Sequence, residues 1–396
     1  MQTIPPEELH EDRFSRLRLI PWWDQKKLAA SRFLVIGAGA LGNEILKNLA
    51  LLGVGRVVIV DLDRIEVTNL SRTVLFRAED VGRQKATAAA RGYRALAPEA
   101  LVQPINANVV QQCGLGLFRW ADVIVAGLDN REARLWINRA AWKVGRPWVD
   151  GAIEGVNGVA RVFLPGEPPC YECTLGEVDW AILNRRMSCN LLAHRSDAEG
   201  KTPTTPTISS IIAGIEVQEA VKLIHGLPTL AGGGFVFEGV NHTSYKVQYT
   251  ENPECMSHDT LPEVRMLAGG SAGWTLDELW RRAQRDLDAE EVTLEFSRDV
   301  IRQLVCPRCH TVEELFAPLG SIDYEEGICP ACQQQRIVET IHGYSGSEPW
   351  GSRRLDGLGL PLLDIFLARS ASRELAYMPE DDAPAVLGAV CEGSQA

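Results

Sequence analysis

Six of the ten cysteines form three C-x-x-C pairs, a spacing that turns two thiolates toward one metal ion. Two of the pairs, Cys306 with Cys309 and Cys329 with Cys332, have nineteen residues between them, which is typical of a tetrahedral zinc site. Four thiolates leave no open coordination position, so we expect a structural role. Two disulfides, or a c-type haem attached between Cys306 and His310, are the alternatives, but haem would leave the second pair unexplained and would require export.

The third pair, Cys170 and Cys173, is only half of such a site. Cys255 and His258 have the matching spacing but lie far along the chain. Spacing alone gives this pairing weak support. Zinc is therefore expected at the C-terminal set, while the ligands of the other half-site stay open at this point.

A second motif with recognisable chemistry occupies residues 32–72. An apolar run stops at the glycines Gly37, Gly39 and Gly42, an amphipathic stretch follows, and a second apolar run ends on Asp61. This order predicts a strand, a glycine turn, a helix, a strand and an acid. Such a turn lets the backbone and the helix N-terminus approach a phosphate, and Asp61 can accept hydrogen bonds from ribose hydroxyls. A nucleotide site is predicted, with a dinucleotide and ATP equally open.

Charged residues follow in the same region. Arg72 and Lys85 lie in or near the loop after the second strand and could reach a triphosphate, although such side chains are more often ordinary surface charges. Asp129 ends a later strand and is predicted at the same edge of the sheet, where the carboxyl ends of parallel strands meet. It could equally be the N-cap of the helix that follows.

The elements that must position these residues alternate between strands and helices, which is typical of a parallel sheet. We predict an α/β fold: a Rossmann-like, mainly parallel sheet with helices on both faces, followed by a smaller C-terminal domain with a zinc ribbon. The predicted divisions are a first domain of residues 1–258, a glycine-rich linker of 259–273 and a second domain of 274–396.

Composition excludes some partners. The formal charge of −12 and a pI near 5.2 argue against nucleic-acid binding, which needs a basic surface. No apolar run approaches the ~18 residues of a membrane span, and the N-terminus carries charge where a signal peptide would be apolar. We therefore expect a cytoplasmic protein without a membrane partner.

Several motifs of the predicted first domain occur together. They are VIGAGALG, VDLDRIEVTNLSR, VGRQK, GLDN and PCYECTL, with Arg13-Phe-Ser-Arg16 ahead of the first strand and a cysteine-bearing knuckle after ENP. In this order and spacing they resemble the E1-like activating-enzyme superfamily, the adenylating enzymes for ubiquitin-like proteins and for the sulfur-carrier proteins of thiamine and molybdopterin synthesis. By this resemblance the chain is identified as a member, and as a bacterial-type activator of a ubiquitin-like protein.

The resemblance implies a role for each matched residue. The three glycines would cradle ATP, and Asp61 would hold its ribose. The further implied roles are phosphate binding by Arg72 and Lys85 with Asn69 nearby, Mg²⁺ binding by Asp129, a first of two zinc sites at Cys170, Cys173, Cys255 and His258, and a catalytic Arg16 that reaches the ATP site of the other subunit in a homodimer. Thr73 departs from the family, which usually has Gln there.

The implied reaction is adenylation of the C-terminal carboxylate of a small ubiquitin-like protein that ends in Gly. Cys189 stands where conjugating members keep the cysteine that attacks the acyl-adenylate, and Arg185 and Arg186 would favour its thiolate. The expected function is therefore thioester formation on Cys189, with an E2-like enzyme as a possible further partner. A buried structural thiol is the alternative, as we expect for Cys113 and Cys391.

Three other functions are open. A sulfur-carrier adenylyltransferase would stop at the adenylate or pass it to a sulfur donor; no rhodanese-like domain is evident, and residues 357–382 loosely resemble the end of a partner-recruiting ubiquitin-like domain, so conjugation is favoured. An NAD-dependent oxidoreductase would share the glycines and the acid but would give Arg72, Lys85 and Asp129 no role. Arg72 and Lys85 also argue against a non-catalytic scaffold held by two zinc ions.

Overall fold

The computed structural model describes residues 11–188 and 203–391 of the chain, and the first domain within them is built on one large sheet. Its strands are β1 (Arg32–Ile36), β2 (Arg56–Val60), β3 (Leu101–Ile105), β4 (Val123–Gly127), β5 (Trp148–Glu154), β6 (Asn157–Phe163), β7 (Gly233–Glu238) and β8 (Thr243–Gln248). The order is β3-β2-β1-β4-β5-β6-β7-β8. Strands β1 to β5 are parallel, and β6 to β8 extend the sheet as an antiparallel meander.

Helices cover both faces of this sheet, as predicted. They are α1 (Gln25–Ala30), α2 (Ala40–Leu52), α3 (Lys85–Leu96), α4 (Val109–Gln112), α5 (Leu115–Trp120), α6 (Arg131–Lys143), α7 (Glu177–Ser188) and α8 (Pro206–His225). Alternate residues of β1 enter opposite cores: Phe33 packs with α2, α3 and α8, whereas Leu34 packs with α5 and α6. Because both faces are buried, the parallel strands are continuously apolar rather than alternating. No helix in the described residues is long and apolar enough to span a bilayer.

A second sheet follows in the C-terminal part. Its elements are β9 (Val264–Leu267), α9 (Leu276–Leu287), β10 (Thr293–Val305), β11 (Val312–Pro318), β12 (Ile337–Tyr344), β13 (Phe366–Arg369), β14 (Glu374–Pro379) and α10 (Ala383–Leu387). The order is β11-β10-β13-β14-β9, and β12 also pairs with β10. Strand β9 comes from the predicted linker and pairs with β14 in parallel. This sheet has a core of its own, on which α9 packs.

The two sheets meet where α5 begins. The backbone N–H of Leu115 donates to the Asp364 carboxylate at 2.9 Å, and the N–H of Gly116 donates to the carbonyl of Leu363 at 2.9 Å. Any side chain at Gly114 or Gly116 would clash, because its Cβ would lie 2.6 or 2.5 Å from that carbonyl oxygen. The glycines therefore allow the second domain to pack directly on the first.

Candidate functional site

A groove of about 2400 Å³ lies at the carboxyl ends of β1, β2 and β4. Ligands of open α/β sheets bind at this edge. The groove is lined by most of the residues that the sequence pattern singles out for nucleotide binding: Gly37, Gly39, Asp61, Asn69, Arg72, Lys85 and Asp129. Gly42 lies outside the lining, directly below Gly37 in the turn.

The structural reason for glycine differs among the three glycine positions of the turn. Gly37 has a φ of +93°, and a Cβ there would lie 2.5 Å from the Gly127 carbonyl oxygen. A Cβ on Gly42 would lie 1.9 Å from the Gly37 oxygen. A Cβ on Gly39 would meet no described atom within 4 Å. Gly37 and Gly42 are therefore needed to build the turn, whereas Gly39 leaves open space over the backbone, as close approach of a phosphate requires.

Asp61 is fixed by two backbone N–H groups at the end of β2. Its Oδ2 accepts from the N–H of Ala38 at 2.7 Å, and its Oδ1 accepts from the N–H of Asp63 at 2.8 Å. Burial raises the pKa of the Asp61 carboxyl, while the Lys85 ammonium acts in the opposite direction. Asp61 thus links the glycine turn to the loop after β2 and keeps its carboxylate at the rim of the groove.

Both predicted cations have local partners. The Nζ of Lys85 pairs with Asp63 at 2.7 Å, and Arg72 donates to the carbonyl of Thr68 at 2.7 Å. The lysine side chain is 12% exposed whereas the Asp63 side chain is 54% exposed. Because solvent reaches the Asp63 carboxylate, this ion pair is weak, and Lys85 can exchange its partner for a ligand anion at small cost.

The turn that carries Asn69 is held from inside. The N–H of Glu66 donates to the Asn69 side chain at 2.9 Å. The Thr73 hydroxyl donates to the Asn69 carbonyl at 2.9 Å and is buried. The residue that departs from the family pattern therefore points into the protein and stabilises this turn.

Asn43, which the sequence analysis missed, ties the turns together. Its Nδ2 donates to the carbonyls of Ala38 at 2.7 Å and Gly39 at 3.1 Å, and its Oδ1 accepts from the N–H of Leu75 at 3.0 Å. The side chain is fully buried in α2. A polar residue on the apolar side of a predicted helix is the only signal that could have revealed it.

Asp129 is exposed in the groove, directly before α6. The alternative that it caps this helix is wrong, because the N-cap is Asn130, whose side-chain oxygen accepts from the N–H groups of Glu132 at 2.8 Å and Ala133 at 3.3 Å. The helix begins one residue later than that alternative requires. The Asp129 carboxylate is therefore spared from capping and is directed to the groove.

A buried charged network borders the groove near β5. Asp150 is fully buried and accepts from Arg134 at 2.8 Å and from Arg161 at 2.9 Å. Glu216 of α8 lies beside them without a hydrogen-bond partner in the described part of the chain. Burial raises the pKa of the Glu216 carboxyl well above its usual value, and Asp150 acts in the same direction. Nothing in the sequence pattern identified this network.

The two half-sites of the first domain come together in the fold. We call Cys170, Cys173, Cys255 and His258 the knuckle. Their donor atoms all lie within 4.8 Å of one another, with 3.5 Å between the sulfurs of Cys170 and Cys255 and 3.4 Å between Cys173 Sγ and His258 Nε2. Three thiolates and an imidazole fit Zn²⁺, which is bound tetrahedrally by such donors.

The knuckle is braced against α6. Trp142 stacks on the His258 ring at a centroid distance of 4.5 Å. Arg139 donates to both carboxylate oxygens of Glu172, at 3.0 and 3.1 Å, and Ser257 donates to the same carboxylate. Since Asp129 directly precedes the N-cap of α6, the knuckle supports the helix next to which Asp129 lies.

The C-terminal cysteines form the second cluster, which we call the ribbon: Cys306, Cys309, Cys329 and Cys332. Their sulfurs lie within 4.8 Å of one another, at 3.4 Å for Cys306 and Cys332 and 3.6 Å for Cys309 and Cys329. These distances exceed the ~2.05 Å of a disulfide bond, so the disulfide alternative is wrong for the pairs in this structure. Four convergent thiolates fit a closed structural zinc site.

Comparison with known proteins assigns the first domain. The model of the ThiF family matches residues 12–257. The chain belongs to the ThiF family. This match includes the glycine turn, Asp61, Lys85 and Asp129 of the groove and the knuckle up to Ser257, and the β9–β14 sheet lies beyond it.

Similar curated proteins are adenylyltransferases and E1 activating enzymes. A sulfur carrier protein adenylyltransferase from Thermus thermophilus is 31% identical over 276 residues, which are 66% of this chain and 94% of the relative. A SAMP-activating enzyme E1 from Haloferax volcanii is 32% identical over 64% of this chain and 90% of the relative. The NEDD8-activating enzyme E1 catalytic subunit of Arabidopsis thaliana is 42% identical, but over only 36% of this chain and 34% of its own length. This ThiF-family chain is an E1-like adenylyltransferase.

Solved structures support the fold of the ThiF domain. Escherichia coli MccB with ATP superposes with a TM-score of 0.51 at 22% identity, covering 63% of this chain and 75% of MccB. MccB with AMPCPP and MccA gives a TM-score of 0.53 at 23% identity, covering 65% and 77%. At this identity the likeness supports the architecture alone.

The structure of this ThiF-family chain bears differently on three further candidate residues, Cys189, Arg16 and Cys113. Cys189 lies outside the described residues. Arg16 is exposed and is not part of the groove lining. Cys113 is buried, and burial raises the pKa of its thiol to about 12, which fits the structural role expected for it.

Proposed function

We propose that this chain uses ATP to adenylate the C-terminal carboxylate of a small carrier protein. The observation that carries the proposal is the convergence of Gly39, Asp61, Lys85 and Asp129 on one groove at the carboxyl edge of the sheet. An oxidoreductase would need no cations and no further carboxylate beside the glycine turn. The family membership supports the same choice.

Each group has a task that its surroundings allow. The open backbone at Gly39 and the N-terminus of α2 would receive phosphates. Asp61, held by two N–H groups, would accept hydrogen bonds from the ribose. Arg72 and Lys85 would neutralise the triphosphate.

Asp129 would hold Mg²⁺. An exposed carboxylate that caps no helix is a hard oxygen donor of the kind that this ion prefers. Mg²⁺, when bound, supplies charge neutralisation for the triphosphate and for the departing pyrophosphate. The two cysteine clusters would hold one structural zinc ion each, two per chain.

The reaction joins a carboxylate oxygen of the carrier to the α-phosphorus of ATP and breaks the bond from that phosphorus to the pyrophosphate oxygen. The products are an acyl-adenylate and pyrophosphate. The carboxylate and the triphosphate repel each other, so Arg72 and Lys85 contribute by removing this repulsion and by stabilising charge that grows on the leaving group. Because both side chains already line the groove, they can neutralise this charge without movement of the sheet.

The antiparallel meander supports a protein as the second substrate. Residues of β6, β7 and β8 continue the groove lining beyond the nucleotide end, among them Val159, Phe237 and Val247. At the border of this lining Val240 is 76% exposed. A carrier could rest on this surface with its C-terminal tail along the groove. We further propose a homodimer in which the exposed Arg16 reaches the partner's ATP.

Between the two classes of carrier, the relatives favour a sulfur carrier over the conjugation expected from the sequence. The sulfur carrier protein adenylyltransferase matches over nearly its whole length, whereas the NEDD8 enzyme matches over a third. Conjugation through a thioester on Cys189, with an E2-like partner, is the second candidate. Its support is the position of Cys189 after the knuckle motif in the sequence.

The variant Asp129→Ala tests the adenylation proposal. Carrier-dependent ATP–pyrophosphate exchange should fall by about 10²–10³-fold, the effect of removing one preorganised electrostatic contact. Asp122, at the opposite end of β4, is the control: it pairs with Arg32 at 2.7 Å and lies outside the groove lining. Asp122→Asn should lose a little stability and keep exchange. Full exchange by the Asp129 variant would overturn the Mg²⁺ assignment.

The variant Cys189→Ala separates the two carrier classes. If conjugation operates, the wild-type chain forms a carrier adduct on a non-reducing gel that thiol reagents cleave, and the variant loses this adduct while keeping exchange. If the chain only adenylates, neither protein forms the adduct. We expect the second result, and an adduct that depends on Cys189 would reverse our preference.

A further inference from the structure

The strand order indicates where each part of ATP lies. The glycine turn follows β1, Asp61 follows β2, and Asp129 follows β4. Phosphates at the turn and the ribose at Asp61 put the base further along the same direction, next to the end of β3, because the order is β3-β2-β1-β4. This step rests on the proposed function, since it assumes a nucleotide in the groove.

The base end of the groove is formed by both domains. The segment after β3, residues 107–111, lines it and includes the start of α4. Residues 297–299 of β10 and Leu319 with Gly320 of the C-terminal domain line the same groove. The adenylation domain therefore does not enclose this end alone.

Helix α4 is held in place by the C-terminal domain. The Arg298 guanidinium donates to the carbonyls of Val110 at 2.5 Å and Cys113 at 2.6 Å. It also lies over the ring of Trp136, a groove residue of α6, at 4.3 Å. In the same helix α4, the Gln111 side chain donates to the carbonyl of Gly320 at 2.7 Å.

Helix α4 needs these contacts. It has four residues, which is one turn, and a single turn has no stability of its own because nucleation costs more than one hydrogen bond returns. The carbonyls in and after such a turn lack helical partners, and a cation at the C-terminal end satisfies them. Arg298 provides that cation and at the same time fixes the helix against α6.

We propose that the C-terminal domain is part of the nucleotide site: Arg298, together with the 319–320 turn, positions α4 as the wall that contacts the base of ATP. Arg298 is a positioning residue in this account. Without it α4 shifts, and the base loses its contacts while the phosphates keep theirs.

The test compares two probes on the full-length chain: ATP, and inorganic tripolyphosphate, which has no base. Arg298→Ala should weaken ATP binding by about tenfold, equal to ~1.4 kcal/mol, and should leave tripolyphosphate binding unchanged. In exchange kinetics the KM for ATP should rise with little change in kcat. Arg298→Lys, which keeps the charge but cannot donate a planar fork to two carbonyls, should show a smaller loss in the same direction.

Arg302 provides a matched control on the same strand. Its guanidinium lies over the Trp350 ring at 4.8 Å, outside the groove. Arg302→Ala should bind both probes like the wild type. If Arg298→Ala does not fold, Arg298→Lys is decisive in its place.

Unchanged ATP binding by the folded Arg298 variants would overturn this inference and leave the proposed function intact. Equal losses for ATP and tripolyphosphate would also overturn it, because they would indicate a general disturbance of the site. A wild-type chain that does not bind ATP would overturn the proposed function itself, and this inference with it.

Discussion

The knuckle and the ribbon have nearly the same donors but are built differently. In the knuckle, Cys170 and Cys255 are separated by 85 positions, and the intervening chain contains α8 and the β7–β8 pair. In the ribbon, Cys306 and Cys332 are separated by 26 positions in one extension of β10 and β12. The first cluster joins distant parts of a domain, and the second closes a local excursion.

The surroundings of the clusters differ in the same sense. Cys170 is fully buried, His258 stacks on Trp142, and the Arg139–Glu172 pair connects the knuckle to α6. In the ribbon Cys306 and Cys329 are buried as well, while Cys309 is exposed. We conclude that the knuckle stabilises α6 beside the adenylation site, whereas the ribbon segment contacts the groove through the turn at 319–320. Similar donor sets therefore need not have equal consequences.

The largest expected effect is at the knuckle, where we propose a zinc ion. Cys170→Ser should lower zinc content from two to one per chain and remove on the order of 10 kcal/mol of metal-linked folding free energy, which is comparable to the total stability of a domain. We expect the adenylation domain to unfold or aggregate and the exchange activity to be lost. Metal analysis and circular dichroism measure this.

Cys306→Ser is the matched variant in the ribbon. It should also lose one zinc ion, but exchange should fall less than in Cys170→Ser, because the ribbon segment contacts the groove through the turn at 319–320 and not through α6. Arg298 keeps its position, since its neighbours Phe296 and Val300 belong to the core of the second sheet. Equal loss of exchange in the two cysteine variants would contradict the comparison.

A smaller effect is expected at the link between knuckle and helix. Arg139→Gln leaves the Glu172 carboxylate, 7% exposed, with Ser257 alone, and should cost about 1–3 kcal/mol of unfolding free energy. On the same helix, Arg131 pairs with Asp179 at 2.8 Å in a more exposed position, 48% and 27%. Arg131→Gln should cost only about 0–1 kcal/mol. Urea unfolding compares the two, and equal costs would contradict a bracing role for the knuckle.

The sequence predicted the regular elements of the first domain well. β1, β2 and β4 contain short apolar runs that lead into a glycine or an acid, as the pattern of residues 32–72 predicts for the first two. These features depend on local pattern alone. α7 was missed, because residues 177–188 show no clear helical repeat of apolar positions.

The functional sites show the same difference between what local sequence pattern predicts and what tertiary packing decides. The ribbon could be predicted from spacing because both of its halves lie close together, whereas the pairing of Cys255 with Cys170 was implied by the family resemblance and not by spacing. Asn43 and Arg298 form hydrogen bonds to backbone groups that are distant in the sequence. Asn130 acts because it occupies the N-cap position of α6. Their partners are decided by tertiary packing, which no spacing rule contains.

The central claim is that the groove forms an adenylate on a protein carboxylate. The direct measurement is ATP–pyrophosphate exchange by the wild-type chain with small proteins that end in Gly or Gly-Gly, each tested with a free and with an amidated C-terminus. The account predicts exchange that requires both a suitable carrier and its free carboxylate. Exchange that continues with the amidated carrier, or its absence with every free-carboxylate carrier while ATP binds, would contradict it.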